Sequence, residues 1–129
     1  MKEVDQTILG DKCGNCLSAC LASILEMPIT DFPDYSEWSD NDWIYKYNNF
    51  LGKIGYGLLI CGPNNDLFVP DIHGIKTYHI INGISSRSTE QHSVVGYNGF
   101  MIFDPHPSRA GLIDITSWIF IIKIFSKTK

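Results

Sequence analysis

His92-Ser93-Val94-Val95-Gly96-Tyr97-Asn98-Gly99-Phe100-Met101-Ile102-Phe103-Asp104 reads as two short strands joined by a two-residue hairpin turn. Asn98 and Gly99 both tolerate the positive φ such a turn requires, and the flanks are rich in the β-branched and aromatic residues that favour strands. Counting outward from the turn, Tyr97 faces Phe100, Val95 faces Ile102 and Ser93 faces Asp104. That register brings Asp104 to within about one residue of His92 on the neighbouring strand. A carboxylate there can accept a proton from the imidazole and fix its tautomer.

Working outward, further runs rich in Ile, Val, Phe and Tyr predict strands over residues 57–61, 76–81 and 117–125, besides 92–97 and 100–103. The chain changes character near Gly55-Tyr56-Gly57, and before that point it reads as helical. Leu17, Cys20, Leu21, Ile24 and Leu25 recur at helical spacing, which predicts a first helix over residues 16–26, with Asn15 as N-cap and Pro28 at the exit. Residues 30–37 carry Pro33 and several acids and read as a loop or a single turn. A second helix is expected over residues 39–53, with Asp40 and Asp42 in its first turn and an apolar stripe of Trp43, Tyr47, Phe50 and Leu51. Helices first and antiparallel strands after is an α+β layout, with the N-terminal helices packed on a C-terminal sheet.

The chemistry concentrates at the start of the first helix. Cys16 lies where the helix dipole and unpaired N–H groups favour a negative charge, which can lower a thiol pKa from about 8.5 to about 3.5–7.5. Cys20, one turn further in on the apolar face, reads as an inert core thiol, and Cys13 falls in the entry loop. A thiol hydrolase needs a stabilised thiolate, a base beside it and a third group that orients the base; Cys16, His92 and Asp104 supply one of each. Cys13 is the alternative nucleophile.

Composition limits what else the chain does. It has 129 residues, the size of one domain, with 44% hydrophobic and 19% charged residues, enough for a core and too little charge for disorder. The formal net charge of -4 argues against nucleic-acid binding, which relies on Lys and Arg against phosphates. The first residues lack the apolar core of a signal peptide, and the longest apolar run, 118–122, is too short to cross a bilayer. A cytoplasmic protein without membrane association is expected, and crowding of three of the four cysteines into one stretch speaks against a disulfide framework.

Cys13-Gly14-Asn15-Cys16-Leu17 at a helix start resembles the Cys-Gly-Ser-Cys-Trp motif of papain-like cysteine peptidases, whose second cysteine is the nucleophile. His92-Ser93-Val94-Val95-Gly96-Tyr97 followed by Asp104-Pro105 resembles the signature of their bacteriocin-processing (double-glycine) branch, and the Cys-to-His-to-Asp order agrees. The segment from Gly83 to Ser108 is also similar to small uncharacterised phage and bacterial proteins of this fold. The resemblance implies a papain-like fold and a cysteine-dependent amide hydrolase acting on a peptide or protein substrate. In that branch a glutamine ahead of the cysteine serves the oxyanion hole, and Gln6 is the only glutamine there; Asn15, Gln91 and Ser93 flank the motif residues as substrate contacts. Gln6 lies further from Cys16 than in that branch, and the membrane transporter usually attached to it is absent from this sequence.

Other readings compete. A catalytically inactive binding protein on the same fold, such as a phage-encoded inhibitor of a host factor, carries the same motifs. Cys13-x-x-Cys16 is also half of a zinc site, with His73, His79, His92 and His106 as possible partners, but no second paired motif completes it, and no metal or cofactor is expected. A thioredoxin-like role needs a strand before the cysteines, for which Thr7-Ile8-Leu9 is the candidate, and a βαβ context that does not follow. His79, inside an apolar strand, reads as a satisfied core histidine. His106 and Arg109 read as a loop near Asp104, Trp38 and Trp43 as groove or core, and the acids between Asp31 and Asp42 as a solvated face.

Overall fold

Helix α1 (Cys16–Leu25) turns Leu17, Cys20 and Leu21 into the core, as its spacing predicts. Glu26 ends it in the left-handed conformation (φ 55), its N–H still bonded to the Ala22 carbonyl, and Pro28 blocks a further turn. In the computed structural model, which describes residues 1–9, 14–33, 42–62 and 76–125, a 3₁₀ turn (Ile29–Asp31) follows. Helix α2 (Trp43–Gly52) buries Tyr47 and Leu51 and packs Trp43 and Phe50 against them. Asp42 is its N-cap residue without a side-chain cap bond; Ser39 and Asp40, expected inside the helix, lie outside the described residues with Trp38.

Five antiparallel strands follow: β1 (Tyr56–Cys61), β2 (Tyr78–Ser85), β3 (Gln91–Tyr97), β4 (Phe100–Phe103) and β5 (Leu112–Lys123), in the order β1-β5-β2-β3-β4. Among the described residues this is an α+β architecture, with α1 on β3 and β2 and α2 on β1. Ile80 of β2 pairs with Val95 and Ile119, so the three share one face of the sheet, and all are fully buried beneath the helices. No helix among the described residues is long and apolar enough to cross a membrane.

Two strands run past their expected limits. β2 continues from Ile81 through Asn82, Gly83 and Ile84 to Ser85, and β5 begins at Leu112 instead of residue 117. The extra length is irregular: the β2–β5 register shifts at Asn82/Gly83 and again at Ile84/Ser85. Gly83 permits this because a Cβ there would overlap the backbone carbonyl of Asp114. Thr7-Ile8-Leu9 forms no strand.

The hairpin turn is as expected, with Asn98 (φ 55) and Gly99 (φ 87) both left-handed and Tyr97 paired with Phe100. Beyond it the register departs from simple counting. Gly96 pairs with Met101, but Val95 pairs with Phe103 and not Ile102, and Ser93 does not face Asp104. One residue is looped out as a β-bulge. Burial explains it: Phe103, 4% exposed, joins Val95 in the core, whereas Ile102 is 45% exposed.

Candidate active site

Cys16 occupies the first position of α1, and the chain leading to it is folded back tightly. Gly14 (φ 51) turns against the Ile8 carbonyl so closely that a Cβ would overlap it. Asn15 then clamps the N-terminal segment. Its Oδ1 accepts from the N–H groups of Thr7 (3.0 Å) and Ile8 (2.9 Å), and its Nδ2 donates to Thr7 Oγ1 (2.8 Å). Asn15 is thus the N-cap by position but makes no side-chain cap bond, and it turns to the N-terminal segment, not to the cleft where a substrate contact was expected.

This fold-back brings Gln6 into play despite its distance in sequence. Gln6 is buried; its N–H donates to the Pro105 carbonyl (3.0 Å) and its Nε2 to the Ile8 carbonyl (3.0 Å). The same Nε2 lies 3.4 Å from where a Cβ on Gly14 would stand, two residues before Cys16. Its Oε1 is buried without a hydrogen-bond partner. Exchanging oxygen and nitrogen would set two carbonyl oxygens together, so the amide hydrogen must face Ile8.

His92 lies near the start of β3, and its Nε2 is 2.7 Å from Asp104 Oδ1, with both side chains almost fully buried. Asp104 stands beyond the end of β4, so the chain that follows it fixes the contact, not ladder pairing. The N–H of His106 donates to Oδ1 (2.9 Å) and that of Gly111 to Oδ2 (2.7 Å). Burial pushes the Asp104 pKa up, but the hydrogen bonds from His92, His106 and Gly111, with the charge of His92, outweigh it and hold the carboxyl below its ordinary value. Arg109, left-handed at φ 54, braces this loop. Its Nη1 donates to Asp5 Oδ1 and to the carbonyls of Asp104 (2.8 Å) and His106 (3.3 Å), and its guanidinium lies 4.8 Å from the Phe103 ring centroid.

Because Nε2 is engaged by a carboxylate that only accepts, it carries the hydrogen, and Nδ1 is the ring nitrogen left to take up a proton. Cys16 and His92 line one cleft of about 210 Å³ with Gly14, Leu17, Trp43 and the wall residues Asn82, Gln91, Ser93 and Ser117. Cys16 is only 1% exposed, so its thiol is approached through this cleft. Cys20, one turn deeper, is fully buried, and burial, with electrostatic contributions from Cys16 and Asp104, pushes its thiol pKa well up.

Cys16 and His92 share the cleft that Gln91 and Ser93 also line, Asp104 holds His92 from behind it, and Gln6 borders the other side of His92. Trp43 lines it as well as packing on the core. Nothing in the sequence singles out Asn82 or Ser117. Asn82 lies one residue beyond the apolar run that marks its strand, and Ser117 reads as an ordinary strand serine until register sets it beside Asn82.

His106 and Gln6 border a smaller cavity of about 30 Å³ on another side of His92, with Arg87 and Glu90, and the His106 ring meets that of His92 edge-on at 6.4 Å. His79 is fully buried, but only Nε2 is satisfied, by the Gly99 N–H (3.1 Å); Nδ1 has no partner, which corrects the expectation of a satisfied core histidine. Cys13 and His73 lie outside the described residues, among which no group of three His, Cys, Asp or Glu side chains is arranged to hold a metal ion. Comparison with family models, curated proteins and solved structures found no match to this chain.

Proposed function

We propose that the chain is a cysteine-dependent amide hydrolase of papain-like fold, cutting peptide or isopeptide bonds with Cys16, His92 and Asp104. The observation that carries this reading is the buried 2.7 Å His92–Asp104 pair opening on the same cleft as a cysteine at a helix N-terminus. A helix that starts at the nucleophile and packs on the strand bearing the base supports the papain-like assignment.

In this mechanism His92 Nδ1 takes the Cys16 proton, giving a thiolate and an imidazolium whose Nε2–H remains on Asp104. The thiolate attacks the substrate carbonyl carbon. The resulting oxyanion is met by the Cys16 N–H and by the second Nε2 hydrogen of Gln6, the first being held by Ile8. The C–N bond breaks as Nδ1–H gives its proton to the leaving amine, leaving a thioester. Water, deprotonated by Nδ1, then attacks the thioester and returns the carboxylic acid and the free thiol. An amine in place of that water gives acyl transfer.

Alkylation by iodoacetamide, followed at Cys16 by peptide mass spectrometry across pH, tests the reading. Cys16 is expected to react fully near pH 6, well below the ordinary thiol pKa of about 8.5. His92→Ala removes that low-pH reactivity, and buried Cys20 stays unlabelled as an internal control. A Cys16 rate that climbs only towards pH 8.5, unchanged in His92→Ala, refutes the proposal.

A further inference from the structure

The face of the sheet beneath α1 changes character abruptly at the level of Cys16. Ile80, Val95 and Ile119 form an in-register row in the core, and two residues further along each strand the row becomes Asn82, Ser93 and Ser117. These three side chains are joined across β3, β2 and β5. Ser93 Oγ lies 2.6 Å from Asn82 Oδ1, and Asn82 Nδ2 lies 3.2 Å from Ser117 Oγ. The short distance suits O–H···O and the longer one N–H···O, which fixes the direction of the ladder. Ser93 spends its hydroxyl hydrogen on Asn82, and Asn82 spends one amide hydrogen on Ser117. The Ser117 hydroxyl hydrogen and the second Asn82 amide hydrogen have no partner among the described residues.

We propose that this row is a substrate subsite beside Cys16 that takes a neutral amide group, either a side-chain carboxamide or a backbone peptide group. The proposal rests on the reading of Cys16 as the reacting centre. Asn82, Ser93 and Ser117 line the same cleft as Cys16, with Leu17 and Trp43 supplying an apolar wall. At about 210 Å³ the cleft is below the range of about 300–1,000 Å³ usual for drug-sized ligands, and it suits one side chain or one peptide unit. The two spare donors match a carbonyl oxygen, and the Ser93 and Ser117 oxygens can accept from an amide N–H. An apolar group would cover the spare donors without offering them an acceptor, and each donor stranded in this way carries its desolvation cost. A carboxylate would meet the same donors but brings no N–H for the Ser93 and Ser117 oxygens to accept, and it also meets the negative charge of Asp104. Among the described residues lining the cleft, no carboxylate is present to hold a cation.

The test uses the full chain carrying Cys16→Ala, so that no chemistry interferes, titrated with three probes and followed by NMR at the Asn82 side-chain NH₂. The probes are N-acetylglutamine methylamide, N-acetylglycine methylamide and N-acetylglutamate methylamide. The glutamine probe is expected to shift the Asn82 signals and to bind more tightly than the glutamate probe. Ser117→Ala is expected to weaken it about three- to tenfold, the loss of one hydrogen bond. A glycine probe that binds equally well, with the same dependence on Ser117, identifies the peptide group as the element recognised; one that binds more weakly identifies the carboxamide. Both support the subsite. Tighter binding of the glutamate probe, Asn82 signals that do not move, or affinity unchanged in Ser117→Ala overturns it. Should Ser117→Ala fail to fold, the glutamine–glutamate comparison and the Asn82 signals decide alone. A reactive Cys16 without amide binding refutes the subsite and leaves the hydrolase reading standing; amide binding beside an ordinary Cys16 thiol does the reverse.

Discussion

Replacing Asp104 by Asn keeps the shape of the side chain and removes one acceptor, at a point where both oxygens are in use. Oδ1 receives His92 Nε2 and the His106 N–H, and Oδ2 receives the Gly111 N–H. An asparagine with its oxygen in the Oδ1 place keeps two of these bonds and points its NH₂ at the Gly111 N–H. Rotated, it satisfies Gly111 and sets donors against His106 and against Nε2–H. At least one buried N–H is stranded in either case, at about 1–3 kcal/mol, and the remaining bonds lose their charge assistance. Asp104→Asn is therefore expected to lower stability by about 2–3 kcal/mol at neutral pH. The pH dependence follows from the lowered Asp104 pKa. The unfolded carboxyl titrates near 3.9, above the folded one, so the stabilisation is fully present above about pH 4 and is lost as pH falls through the folded value. Asparagine does not titrate, so the gap between the two proteins should be widest at pH 7 and narrow below about pH 4. Urea denaturation followed by tryptophan fluorescence at neutral and acid pH measures it. Equal midpoints at pH 7, or a gap that stays the same at pH 3, refute the reasoning.

Gly83→Ala sets a Cβ into the Asp114 carbonyl, a backbone atom that cannot rotate away, and is expected to cost more than about 3 kcal/mol; Gly52→Ala meets nothing within 4 Å and should be neutral or slightly stabilising. Thermal melts of the two variants decide it, and equal effects would contradict the close β2–β5 approach. Burial holds the His79 pKa below its ordinary value, against a smaller opposing contribution from the Ile80 backbone. The unfolded imidazole, near 6.5, then takes up its proton first, so stability should fall as pH drops below about 6.5 towards the folded value. His79→Gln should flatten that part of the stability curve, and an unchanged slope would remove His79 as its source.

Much of the layout was legible because it rests on local rules. Leu17, Cys20 and Leu21 lie at helical spacing, Pro28 blocks continuation, and Asn98-Gly99 favours a tight turn, so α1 and the β3–β4 hairpin follow from neighbours in sequence. The same reasoning misjudged the limits of β2 and β5, because Asn82 and Gly83 interrupt an apolar run. Only pairing with Ser93 and with β5 makes that stretch strand.

By itself the sequence determined that a cysteine opens a helix, that a histidine and an aspartate flank a hairpin, and that helices precede antiparallel strands. The tertiary structure decided what those residues meet. The β3–β4 bulge follows from which of Ile102 and Phe103 the core accepts, and no local rule chooses between them. Asp104 reaches His92 because N–H groups of the following loop, which Arg109 braces through main-chain carbonyls, fix its carboxylate. Gln6 reaches the start of α1 because Asn15 folds the N-terminal segment back. Asn82, Ser93 and Ser117 become one polar row only through strand register. Each of these contacts joins distant parts of the chain or depends on the geometry of a neighbouring strand, so the whole fold, and not the nearby residues, determines where they meet.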